Sequence, residues 1–97
     1  MISAKPQTIV LQEREFKVAY KKLHQNQKKA VNTAILEIVG NPLAGVEKKG
    51  DLKGVYVYKF KCLDRIFLLA YQWDPLTRIL LALGVHENFY RDMKRNL

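Results

Sequence analysis

Gly54 to Val85 reads "GVYVYKFKCLDRIFLLAYQWDPLTRILLALGV", and the periodicity of this stretch decides the fold. Its first part, "VYVYKFKC", alternates residue by residue. Val55, Val57, Lys59 and Lys61 fall on one face of a strand, and Tyr56, Tyr58, Phe60 and Cys62 on the other. "RIFLLAYQW" and "RILLALGV" are nearly continuous apolar runs, the pattern of strands lying between two covered faces. "LD" and "DPLT" supply the connecting turns, and Asp74-Pro75 is the clearer turn signal.

Upstream of these strands, "LAGVEKKGDLKG" is rich in glycine and charge and reads as loop. Before it, "EREFKVAYKKL" starts at Glu13 and sets Phe16, Ala19, Tyr20 and Leu23 at helical spacing, with Arg14, Lys17, Lys21 and Lys22 outward. "HQNQ" interrupts the pattern, which resumes at Val31, Ala34, Ile35 and Ile38. "VGNP" then ends the helix: Gly40 can take the left-handed conformation and Pro42 cannot continue a helix. "QTIVL" has the β-branched content of a short first strand, Thr8 to Leu11. The expected fold is α+β, a helical hairpin packed on one face of a mostly antiparallel twisted sheet, in the order β-α-α-β-β-β with a short C-terminal helix. If the aromatic face of "VYVYKFKC" meets the helices, Lys59 and Lys61 point to the opposite, open face. There they are either functional cations or solvent-facing lysines that keep a strand soluble.

Ninety-seven residues, 48% of them hydrophobic, make one small globular domain spanning 1–97. The longest apolar run, Ile79 to Val85, falls well short of the roughly 20 residues of a membrane helix. "MISAKPQTIV" has no apolar signal-peptide core, so a cytoplasmic protein without membrane association is expected. The lone Cys62 offers neither an internal disulfide nor metal-ligand spacing, and no cofactor is expected. A net charge of +8 is large for so small a chain and calls for an anionic partner, either nucleic acid or an acidic protein.

In order and spacing these segments resemble the RelE/ParE superfamily of toxins from bacterial type II toxin–antitoxin systems. "GDLKGVYVYKFKC" is similar to that family's loop and strand, "DRIFLLAYQW" to the strand that opens on a basic residue, and "LGVHENFYRDMKR" to its closing segment. The resemblance runs from Thr8 nearly to the end of the chain. It implies one of two activities: RelE-like members cut messenger RNA in the ribosomal A site, and ParE-like members poison DNA gyrase. Both are neutralised by an antitoxin, so an acidic antitoxin segment is the implied protein partner, beside the ribosome and mRNA or gyrase.

Metal-free cleavage of RNA needs a base for the ribose 2′-hydroxyl, an acid for the departing 5′-oxygen, and cations for the charge building on phosphorus. Histidine titrates nearest neutrality, which makes His86 the natural acid or base, against its plainer reading as a turn residue. The resemblance places Lys59 and Lys61 as charge stabilisers or base, and Arg65 as a planar clamp on the phosphate. Tyr90 matches the family's terminal aromatic, although Phe89, Tyr90 and Met93 also form an ordinary buried stripe in which Phe89 reads as core. Lys48, Lys49, Lys53 and Arg91 are the candidate RNA-holding cations. One departure stands out: many active relatives carry a further arginine on the last strand, where this chain has Ala82, with Arg78 at the far end. His24, among polar residues at a helix end, reads as surface.

Overall fold

The computed structural model describes residues 7–86 and Phe89. Its elements run β1 (Ile9–Gln12), α1 (Arg14–Lys21), α2 (Gln25–Gly40), β2 (Val46–Glu47), a 3-10 turn (Gly50–Leu52), β3 (Tyr56–Cys62), β4 (Arg65–Asp74) and β5 (Thr77–Val85). The five strands form one sheet in the order β1-β5-β4-β3-β2. β1 runs parallel to β5, and every other pairing is antiparallel. The helical hairpin carries the chain from one edge of the sheet to the other, so β1 lies beside the last strand rather than the next.

From β1 to β5 this is the expected α+β architecture, with local differences; the expected short C-terminal helix falls for the most part outside the described residues. The first strand sits one residue later than "TIVL", and the glycine-rich segment is not all loop, since it holds β2 and the 3-10 turn. Gly40 is the last helical residue and has no left-handed φ. The helix stops at Asn41 instead, whose extended φ of −149° and ψ of 97° suit a residue before proline. Its carbonyl oxygen Oδ1 also accepts from the Leu43 N–H at 3.1 Å. At the other end, "HQNQ" is the start of α2: the Gln27 side chain accepts the His24 N–H at 2.8 Å, and His24 is exposed, as expected.

Two apolar clusters sandwich the sheet. On the helical side, Phe16 and the Val31, Ala34, Ile38 stripe pack on Cys62, Phe67, Leu69, Tyr71, Leu80 and Leu83, with Tyr56, Tyr58 and Phe60 at the margin. The aromatic face of β3 therefore meets the helices. The other face is not simply open, contrary to expectation. Leu52 from the 3-10 turn and Phe89 cover Val55, Val57, Leu68 and Ala70 there. Nine-residue β5 explains how both faces are filled: its pairing with β4 slips between Ala70 and Tyr71, leaving Leu81 as an extra residue.

That bulge positions the site. Arg78 and Leu80 lie on the helical side before it, and Leu83 and Val85 lie there after it, so the alternation changes parity. His86, directly after Val85, falls on the face of Lys59 and Lys61. Counted from Leu80 without the bulge, it would have fallen under the helices.

Candidate functional site

Where β3, β4 and β5 meet at the hairpin end of the sheet, a cleft of about 480 Å³ is lined by Lys59, Asp64, Arg65, Ile66 and His86. Three of the expected residues thus converge from three separate strands or their ends. Lys59 pairs with Leu68, and Lys61 with Ile66, on β4. The Phe67–Val85 pair is the last between β4 and β5, so His86 lies one step past it, level with Ile66. Arg65, the first residue of β4, has the strand parity of Phe67 and borders the cleft from the hairpin end. All four polar or cationic candidates of this region (Lys59, Lys61, Arg65 and His86) are exposed.

Phe89 packs on the same face of the sheet, with Leu52, Val55, Val57, Leu68 and Ala70. It is 5% exposed, as its core reading expected, and a Cβ built at Gly84 would lie 3.6 Å from its ring. The chain after β5 is thereby anchored over the sheet, beside Leu52 and Leu68, and His86 stands where the covered half of the face gives way to the open half.

Not every candidate gathers there. Lys61 shares the face of Lys59 but is not among the lining residues. Lys48, Lys49 and Lys53 lie with Glu47 and Gly50 around a second hollow of about 370 Å³, near the beginning of β3. Tyr90 and Arg91 lie outside the described residues. Arg78 is removed from any surface role, since it is buried and bonded to backbone carbonyls. Two lining residues escaped the sequence reading, Asp64 and Ile66. The first looked like a turn residue and the second like one more apolar position in a strand; only the register reveals that Ile66 faces outward, 43% exposed.

A larger cavity, about 660 Å³, lies elsewhere, between α1 and the β4–β5 pair, lined by Val18, Leu23, Phe67 and Leu83 with Arg14, Glu15 and Lys22. It holds no histidine. The smaller cleft is the one that joins a histidine to cations from separate strands. Among the described residues, no three His, Cys, Asp or Glu side chains group as a metal site would require. No described helix is long and apolar enough to cross a membrane.

The family follows from residues 10–94, which match the model for the ParE-like toxin of type II bacterial toxin–antitoxin systems. The chain belongs to that family and is a toxin of a toxin–antitoxin system. No curated protein matches it. Among solved structures, an alanine variant of the E. coli toxin RelE in the free state superposes with a TM-score of 0.70 at 14% identity, covering 94% of this chain and 98% of that one. The toxin chain of the intact E. coli RelBE toxin–antitoxin complex gives 0.65 at 16% identity, over 82% and 98%. The YoeB/ParE toxin from Agrobacterium tumefaciens gives 0.62 at 14%, over 81% and 99%. At such identities these neighbours establish the fold.

Proposed function

We propose that this toxin is a ribosome-dependent mRNA endonuclease working by metal-free attack of a ribose 2′-hydroxyl on the adjacent phosphate. The observation that carries the reading is the meeting of Lys59, Arg65 and His86 around one open cleft. In the reaction the 2′-oxygen bonds to phosphorus as the bond to the 5′-oxygen breaks, leaving a 2′,3′-cyclic phosphate and a 5′-hydroxyl. Two protons move, one from the 2′-hydroxyl to a base and one from an acid to the 5′-oxygen. His86 serves as one of these groups. Lys59, with Lys61 beside it on the same face, serves as base or as charge stabiliser for the phosphorane. Arg65 grips the non-bridging oxygens through its planar fork. Tyr90 is the further candidate for the chemistry, and Arg91, with Lys48, Lys49 and Lys53, is assigned to holding ribosomal RNA.

The whole chain, 1–97, acts as one domain in the cytoplasm, without a metal or cofactor, and its antidote is a cognate antitoxin with an acidic segment. The RelBE neighbour, a complex of toxin and antitoxin, supports that partner class.

A second reading, inhibition of DNA gyrase, draws on one observation. The last strand contributes no cation to the cleft, because Ala82 occupies the middle of β5 and Arg78 is committed to the core. One pair of assays separates the readings. Mapping mRNA ends on programmed ribosomes is expected to show cuts with the wild-type chain and none with His86→Ala. Strong inhibition of gyrase supercoiling, with no cuts in message, would overturn the ribonuclease reading.

A further inference from the structure

Resting on that ribonuclease reading, we propose that Leu63 is a base-contacting residue, held out at the tip of the β3–β4 hairpin to pack against the face of an unstacked nucleobase beside the cleft. Leu63 has a φ of 60°, and among the described residues it is the one non-glycine residue in the left-handed region. Asparagine and aspartate visit this region with the help of a short polar side chain that bonds locally; leucine has none. In a two-residue hairpin turn, glycine is the residue such a φ favours. Nor does burial compensate, because Leu63 is 54% exposed. Leucine here is thus doubly unfavourable for the isolated chain, strained in its backbone and exposed in its side chain. Local strain of this kind concentrates at binding sites, where the side chain has work elsewhere.

The neighbours indicate what that work is. The next three residues, Asp64, Arg65 and Ile66, all line the cleft with Lys59 and His86, and Ile66 is itself 43% exposed. One exposed aliphatic side chain, Ile66, thus lines a cationic recess, and a second, Leu63, stands in the chain directly before its wall residue Asp64. Single-stranded RNA presents the same two chemistries side by side, phosphates and splayed apolar base faces, and bases out of the stack are held between apolar or aromatic side chains. An acidic protein segment would use the cations but has no need of a strained aliphatic tip placed next to them.

The test compares wild type, Leu63→Gly, Leu63→Ala, Leu63→Phe and His86→Ala by single-turnover cleavage of message on purified, programmed ribosomes, with thermal unfolding measured in parallel. Leu63→Gly is expected to melt above wild type, yet to cut about tenfold more slowly, the effect of one lost base contact. Leu63→Ala should cut as slowly as the glycine variant, and Leu63→Phe should stay within about twofold of wild type, since a ring replaces the lost apolar surface. Cutting by Leu63→Gly at the wild-type rate overturns the proposal, including the case where that variant only resists neutralisation by antitoxin. So does a Leu63→Phe as slow as Leu63→Gly. If wild type cuts no more than His86→Ala, the ribonuclease reading falls and takes this inference with it; normal cutting that ignores position 63 removes this inference alone.

Discussion

The Arg78 guanidinium donates from Nε to the carbonyl of Ile38 at 2.7 Å, tying the last strand to the final turn of α2. Its Nη2 donates to the Val39 carbonyl at 2.9 Å, and its Nη1 to those of Asp74 at 2.8 Å and Thr77 at 3.1 Å. Arg78 is 3% exposed, so a full positive charge is held in the core by four carbonyl oxygens. Two of these are the unpaired acceptors of a helix C-terminus, where a cation also meets the negative end of the helix dipole. The fold's one buried cation in the described residues is therefore structural, and the cations of the cleft come from β3 and the start of β4.

Replacing Arg78 with methionine keeps much of the volume but orphans these acceptors. Hydrogen bonds from a charged donor are worth about 1.5–3 kcal/mol each in favourable cases, and several share this one group. Arg78→Met is expected to lose about 3 kcal/mol, a fall of roughly 12 °C or more in unfolding midpoint for a domain of this size. Arg78→Lys should recover only part of it, since an ammonium cannot span the same fork. Urea unfolding of the three proteins checks the order; equal midpoints would show the bonds contribute nothing net.

Much of this architecture was legible because burial writes a period into the chain. Tyr56, Tyr58, Phe60 and Cys62 announced the helical side of β3, and Val31, Ala34 and Ile38 the inner stripe of α2. β2 left no such mark, being two exposed residues paired at a sheet edge. "RILLALGV" is apolar at both parities, so nothing in it located the bulge at Leu81 or told which face His86 would take. For the same reason the second cluster, with Leu52 reaching over the supposedly open face, became visible only through tertiary packing. The residue types of a cationic site could be picked out of the sequence, but their grouping into one cleft for Lys59, Arg65 and His86, and a separate hollow for Lys48, Lys49 and Lys53, is a matter of register.

Gly45 and Tyr71 form a second stabilising joint. The Tyr71 hydroxyl donates to the Pro42 carbonyl at 2.7 Å and accepts the Gly45 N–H at 2.9 Å, fastening the loop after α2 to the middle of β4. A Cβ at Gly45 would stand 2.8 Å from that hydroxyl and 2.9 Å from the Val57 backbone, which cannot move without breaking the sheet. Gly45→Ala is thus expected to cost about 2–3 kcal/mol through overpacking. Tyr71→Phe should cost about 1 kcal/mol by removing hydrogen bonds to partly buried loop partners. Chemical denaturation of both variants tests this, and a neutral Gly45→Ala would contradict the close approach.

Alkaline pH should weaken the fold through two groups. Burial pushes the Cys62 thiol above its ordinary 9.0. Burial likewise raises the Tyr71 phenol above its ordinary 10.0, partly opposed by the Gly45 N–H that favours the phenolate. Both acids keep their protons longer in the folded chain than in the unfolded one. Above pH 9 the unfolded state therefore binds fewer protons, and the stability present below that pH is lost as pH rises through the folded values. Thermal unfolding midpoints are expected to hold from pH 7 to about 8.5 and to fall beyond about 9. Cys62→Ala should delay the onset toward the tyrosine range. A fall that begins as early in Cys62→Ala would show that another group governs it.

Under the proposed ribonuclease reading, the separation of Lys49 and Lys53 from the cleft predicts a division between holding RNA and cutting it. Each phosphate neutralised by a lysine releases condensed counterions, so the logarithm of the binding constant falls with the logarithm of salt concentration by about 0.7 per contact on single strands and about 0.9 on duplex. A Lys49→Ala/Lys53→Ala double variant is expected to bind ribosomes more weakly at low salt and to lower that slope by about 1.5. At saturating ribosome concentration its cleavage rate should match wild type, because Lys59, Arg65 and His86 are untouched and line a different recess. Lys59→Ala should show the reverse pattern, a rate lowered by about a hundredfold with little change in slope beyond one contact. Ribosome binding measured across a salt series, alongside single-turnover cleavage, reads both quantities on the same samples. An unchanged slope in the double variant would mean that the hollow at Gly50 faces solvent in the ribosome complex, and that the grip on RNA comes from the cleft alone.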